Sequence, residues 1–193
     1  MRKALSIMAL LAFVAMLIIG CGGGGQKSVT KETVSNIPDW YDNAPIDPNY
    51  IFEVGSAESR DLQLARDKAS DAARMSIAKT VETRFQGFSK RFQEEVGLGE
   101  DAQYLDQFTQ ATKAVVSLVM SGAQVEEAKT VPEDGVYRSF VLMKYPVGAT
   151  SQQLMNKLKQ QEQLYTKFRS TQVFEELEKE TQQYEEFKKS QGL

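Results

Sequence analysis

Pro132-Glu133-Asp134-Gly135-Val136-Tyr137-Arg138-Ser139-Phe140-Val141-Leu142-Met143-Lys144-Tyr145 is the stretch that decides the fold. A proline-led turn closed by glycine separates two β-rich runs, residues 123–131 and 136–145, and predicts an antiparallel hairpin. Successive side chains of a strand point to opposite faces, and in the second run both sets are apolar. Val136, Phe140 and Leu142 lie on one face; Tyr137, Val141, Met143 and Tyr145 lie on the other. A strand wetted on one side would alternate with polar residues. Each face therefore needs a cover, whether helices, the C-terminal segment or another subunit.

Upstream, Tyr50-Ile51-Phe52-Glu53-Val54-Gly55 reads as a further short strand, aromatic and β-branched and closed by glycine. It follows Pro38-Asp39-Trp40-Tyr41, where the folded part is expected to begin, and a turn-rich loop over residues 43–49. Trp40 is expected to cap an edge of the core. Ser59 is placed to cap a helix, whose face is Leu62, Ala65, Ala69, Ala73 and Ile77 at steps of three and four. The alanines let that helix lie close against a sheet. The apolar positions continue as Val81, Phe85, Phe88, Phe92 and Val96, but at about 100° per residue the face drifts by nearly half a turn. Residues 79–96 thus either continue a long bent helix, the favoured expectation, or include an extended piece near 80–85. A break at Gly97-Leu98-Gly99 precedes a second amphipathic helix through Tyr104, Leu105, Phe108, Ala111, Val115, Leu118 and Val119. Gly122 is expected to end it in a left-handed conformation.

The fold class expected from these pieces is α+β: a small antiparallel sheet packed by two long helices, with a C-terminal helical extension. That extension, residues 148–193, carries apolar stripes at Leu154, Leu158, Tyr165 and Phe168 and at Phe174, Leu177, Tyr184 and Phe187. Its glutamate run, ending in Lys188-Lys189, reads as a solvated helix face matched to the helix dipole.

The other end of the chain has a different character. Arg2 and Lys3 precede an apolar run from Ala4 to Gly20, and Cys21, the one cysteine, follows directly. A basic start, a short hydrophobic stretch and a small residue before the break are the parts of an export signal. Ile18-Ile19-Gly20-Cys21 resembles the lipobox of bacterial lipoproteins. That resemblance implies cleavage between Gly20 and Cys21, lipid on the Cys21 sulfur and acylation of its new amino terminus. Residues 1–20 are then a lipoprotein signal peptide, and residues 21–36 a lipidated cysteine and flexible tether. Gly22–Gly25 and the polar run after them hold too little apolar surface to offset ordering, and fully extended they reach roughly 50 Å. By further resemblance to enterobacterial sorting, the absence of Asp after the lipidated cysteine favours the outer membrane.

Composition narrows the chemistry. The chain has no histidine, 23 Lys and Arg, and 26 Asp and Glu; loss of Arg2 and Lys3 leaves a balance of about −5. Histidine bases and histidine-ligated metals are excluded, and nucleic acid, which calls for a basic face, is not an expected partner. No phosphate loop, nucleophile elbow or dinucleotide fingerprint occurs, so no catalytic residue, metal site or cofactor is expected. The pairs Glu94–Glu95 and Glu126–Glu127 read as solvated charge, since adjacent residues point different ways. Lys79, Arg84, Lys90 and Arg91 interleave with Phe85, Phe88 and Phe92, whose helical spacing reads as core.

Taken in order, the lipobox, Pro38-Asp39-Trp40-Tyr41, Phe52-Glu53-Val54-Gly55-Ser56-Ala57, Ala65-Arg66-Asp67-Lys68-Ala69, the Ser121-Gly122 turn and a hairpin ending Tyr145-Pro146 resemble the Lpp-twenty lipoprotein family. The domain of that family is also similar to the N-terminal domain of the flagellar T-ring protein. The resemblance covers residues 37–147 or so, and implies helices packed on an antiparallel sheet at the cell envelope, with no reaction attached. The function expected is that of an outer-membrane-anchored, periplasm-facing, non-catalytic binding or assembly module. Its partners are the membrane, through the lipid, and an envelope protein or a second copy. The alternatives are a periplasmic carrier or sensor of a small apolar ligand, held between sheet and helices, and a surface-exposed lipoprotein.

Overall fold

The computed structural model describes residues 36–97 and 102–192. Gly20, Cys21 and nearly all of the expected tether lie outside the described residues. In chain order the elements are α1 (Asp39–Asp42), β1 (Tyr50–Ser59), α2 (Leu62–Val96), α3 (Ala102–Gly122), β2 (Gln124–Glu133), β3 (Val136–Pro146), α4 (Val147–Lys159), α5 (Glu162–Phe168) and α6 (Gln172–Gln191). The class is α+β. Three antiparallel strands in the order β1-β3-β2 pack against the long helices, and the C-terminal helices complete the core.

β3 is the central strand, which accounts for its two apolar faces. Val141, Met143 and Tyr145 join the helical core, while Phe140 and Leu142, also buried, face the other way. There the N-terminal segment covers part of the sheet: the Tyr41 ring lies 5.1 Å from that of Phe140, and its hydroxyl is 2.9 Å from Ser56 Oγ on β1. Trp40 sits half-buried beside Tyr41. The β2–β3 hairpin forms as expected, with a tighter turn. Pro132 and Glu133 pair within the ladder, and Asp134 and Gly135 alone make the bend. Both have positive φ, 48° and 76°, the conformation that a two-residue hairpin matched to strand twist requires.

α2 is one helix of 35 residues, with no extended piece at 80–85. Its drifting stripe is explained by two successive partners. The first half lies on β1: the Gly55 backbone meets that of Ala69 and Ala73, and Thr80 donates to Glu53 at 2.6 Å. The second half turns its phenylalanines to other helices, with Phe92 stacked on Phe108 of α3 at 4.9 Å and edge-on to Phe168 of α5 at 5.7 Å. No single stripe serves both, so the sequence pattern rotates midway.

Three local expectations are corrected. The α2 cap is Asp61, which accepts from the Leu64 amide at 2.7 Å; Ser59 instead accepts from the Asp61 amide. β1 does not close at Gly55 but runs on to Ser59. Gly122 is the last helical residue of α3 and is not among the positive-φ glycines. It is small because the Tyr145 ring packs on it, 3.0 Å from where a Cβ would stand.

Up to Gln191 the C-terminal extension is the three helices α4, α5 and α6, helical as expected, and it also shares the core. Leu154, Leu158, Leu164, Phe168, Val173 and Leu177 have no solvent exposure. Arg84 of α2 fastens them: it pairs with Glu180 of α6 and donates to Thr150 of α4 at 2.9 Å. Gly148 of α4 lets Tyr184 of α6 pack against the α4 backbone.

Candidate functional site

α2 and α3 form an antiparallel pair with two long sides. One side is filled by the C-terminal helices, through Phe92, Phe108 and Phe168. The other is an open groove of about 640 Å³. Its α2 wall presents Gln86, Ser89, Lys90 and Gln93, and its α3 wall Leu105, Thr109, Lys113 and Val116, over the edge of the Phe85 ring. Beyond Glu82 the recess continues past Ala78 and Lys79 to Met75 and Met120, both notably exposed for their type at 63% and 36%.

Local sequence dictates these walls. On α3 the core stripe is Phe108, Ala111, Val115 and Val119. Beside it, Leu105, Thr109, Val116 and Met120 recur at helical steps and form a second stripe; Leu105 and Val116 are half-buried against the core and leave their outer side to the groove. On α2, Phe85 belongs to the core while Glu82, Gln86 and Lys90, at steps of four, line the opening. The groove chemistry is an apolar floor, neutral amides and hydroxyls, two ammonium groups from opposite walls, and the Glu82 carboxylate where the seam passes into the recess. Among the described residues, neither Lys90 nor Lys113 has an ion-pair partner.

The residues singled out from sequence fall in several places. Phe85, Phe88 and Phe92 are buried, as their spacing implied. Arg84 and Arg91 flank the Phe88 ring, each about 5.0 Å from its centroid, and face α6. Lys79 and Lys90 point instead to the recess, so those four cations do not make one patch. Glu95 accepts from the Gln172 amide at 2.7 Å, and Glu126 pairs with Lys144; both serve the fold. Among the described residues no three acidic, histidine or cysteine side chains gather as metal ligands. No helix among them is long and apolar enough to cross a membrane.

The sequence reading missed Gln86, Thr109 and Lys113 altogether; it placed Leu105 on the apolar face of α3, where it is half-buried against the core and also lines the groove. The signal available was the doubled stripe on α3, wider than one neighbouring helix needs. Between sheet and helices, where a ligand was the alternative expectation, β1 and α2 meet backbone to backbone at Gly55 and leave no space at that point. The open volume lies on the far side of α2.

Comparison with models of known protein families, with curated proteins and with solved structures finds no match to this chain.

Proposed function

We propose that this protein is a non-catalytic binding or assembly module of the bacterial envelope, of the Lpp-twenty kind. A lipid on Cys21 holds it to the outer membrane, facing the periplasm. The anchor rests on the Ile18–Cys21 lipobox resemblance and the sorting on Gly22. The observation that carries binding is the α2–α3 groove: a long, open seam with an apolar floor, whose polar groups have the character of contact rather than of reaction.

The test is photo-crosslinking in cells, with a photoreactive residue in place of Gln86 or Thr109 in the full lipidated protein. Specific adducts from both groove positions, absent from a control position at exposed Ile46, are the expected result. No adduct from the groove above the level of that control removes the proposal. The volume of the groove also favours the second reading, a carrier or sensor of an apolar ligand, with the site moved from the sheet to this seam.

A further inference from the structure

We infer that the α2–α3 groove holds a single-chain anionic amphiphile, a long-chain carboxylate, with its head between Lys90 and Lys113 and its chain running toward Met75 and Met120. This rests on the groove being the binding surface and adds the class of its occupant.

The Phe92–Phe108 stack sets the level of the two antiparallel helices, so Lys113 stands beside position 87 of α2. At 1.5 Å per residue it is then roughly 5 Å along the axis from Lys90. Two flexible ammonium stems from opposite walls, neither ion-paired among the described residues, thus meet over the middle of the seam. A carboxylate there is offered two charge-assisted hydrogen bonds. From that point Phe85, Val116, Met120 and Met75 follow in order along one direction, with Glu82 and Lys79 of α2 lining the same stretch. The Glu82 carboxylate disfavours an anionic head there and leaves the Lys90–Lys113 level for it. Lys90 to Met75 spans about 22 Å of helix, longer than the roughly 15 Å that acyl chains occupy in one bilayer leaflet. Methionine suits such a chain, being unbranched and adaptable, and an occupant there accounts for two exposed methionines. A volume of about 640 Å³ lies within the range of small-molecule sites, roughly 300–1,000 Å³.

The experiment uses the chain from residue 21, made without its leader and with Cys21→Ser, so that the whole described unit is present and no attached lipid competes. The probe is undecanoate carrying a dansyl group at its far end, compared with its uncharged methyl ester. The acid is expected to bind saturably, to be displaced by hexadecanoate, and to bind at least fivefold more tightly than the ester. Lys90→Gln with Lys113→Gln should weaken the acid about tenfold and leave the ester unchanged. Val116→Trp, which fills the floor, should abolish both, with thermal unfolding recorded to show each variant folded. Equal binding of acid and ester, indifference to the lysine changes, or absence of saturable binding overturns the inference. If binding is absent while protein adducts still form at Gln86 and Thr109, the occupant is a protein segment: the acyl ligand falls and the binding module stands. If both experiments are blank, both fall.

Discussion

Gly55 of β1 and Ala69 of α2 touch backbone to backbone: a Cβ at Gly55 would overlap the Ala69 carbonyl oxygen and the Ala73 amide. Neither obstacle is a side chain that can swing away. Gly55→Ala is therefore expected to lower stability by about 3 kcal/mol, the upper part of the usual range for overpacking. Gly87 gives the opposite case. It lies exposed within α2, with nothing within 4 Å of the place a methyl group would take, so Gly87→Ala should raise stability by roughly 0.5–1 kcal/mol. Urea midpoints of the two variants against the parent check both signs.

Arg84 and Arg91 occupy similar positions on α2 but differ in burial. The Arg84–Glu180 side chains are 21% and 25% exposed, against 48% and 41% for Arg91–Glu176. Arg84 also donates to Thr150 and Ser151, so its loss strands several polar groups at once. Arg84→Ala is expected to cost about 2 kcal/mol, discounted from a fully buried pair, and Arg91→Ala less than about 1 kcal/mol. Chemical denaturation of both, with matched loss for Glu180→Ala in a double-mutant cycle, would show the coupling. Equal effects of Arg84→Ala and Arg91→Ala would mean that the clamp contributes nothing special.

Leu177 is fully buried in the common core, although it sits in the most charged part of the chain. Leu177→Ala should cost about 2–5 kcal/mol, and a chain ending at residue 147 should show no cooperative unfolding transition. A truncated chain that melts cooperatively would instead make the C-terminal helices an accessory layer.

That C-terminal layer marks where legibility ended. The class, the hairpin and the close helix–sheet approach were readable because Asp134-Gly135, the Val136–Tyr145 run and the Ala65–Ala69–Ala73 ladder each have a local physical cause. Which helix would meet Phe85 to Phe92 was not readable, since a drifting stripe says that partners change without naming them. The groove was hidden for a related reason. Leu105 and Val116 are apolar residues on an amphipathic helix, and only the placement of α5 across the opposite side of the pair shows that their covering is partial, with one side left to the groove.

Stability should fall at alkaline pH through two adjacent residues of β3. The hydrogen bond to Glu126 holds the Lys144 ammonium above its usual 10.5, outweighing a smaller opposing effect of burial. Burial of the ring pushes the Tyr145 phenol above its usual 10.0, with Gln153 opposing by hydrogen bonding to it. Both folded values are raised, so the native state keeps protons that the unfolded chain releases. Their contribution is complete below the unfolded values and is lost as pH rises through the folded ones, above about pH 10. Tyr145→Phe should lose a little stability at pH 7, through Gln153, and show a shallower decline between about pH 9.5 and 11. Denaturation midpoints across that range decide it; an unchanged slope would remove Tyr145 from the account.

Cys21→Ala tests the anchor separately from the fold. Each buried methylene of an acyl chain contributes about 0.8 kcal/mol, and one chain alone gives marginal, reversible attachment. The lipobox resemblance implies acylation at both sulfur and amino terminus, hence more than one chain and stable retention. The folded unit draws its core from residues well beyond the cysteine, from Ala65 to Leu177. Cys21→Ala is therefore expected to move the protein out of the membrane fraction with its melting temperature unchanged. Persistent sedimentation with membranes would assign attachment to the protein surface or to a retained leader, and mass measurement of the recovered chain would tell these two apart.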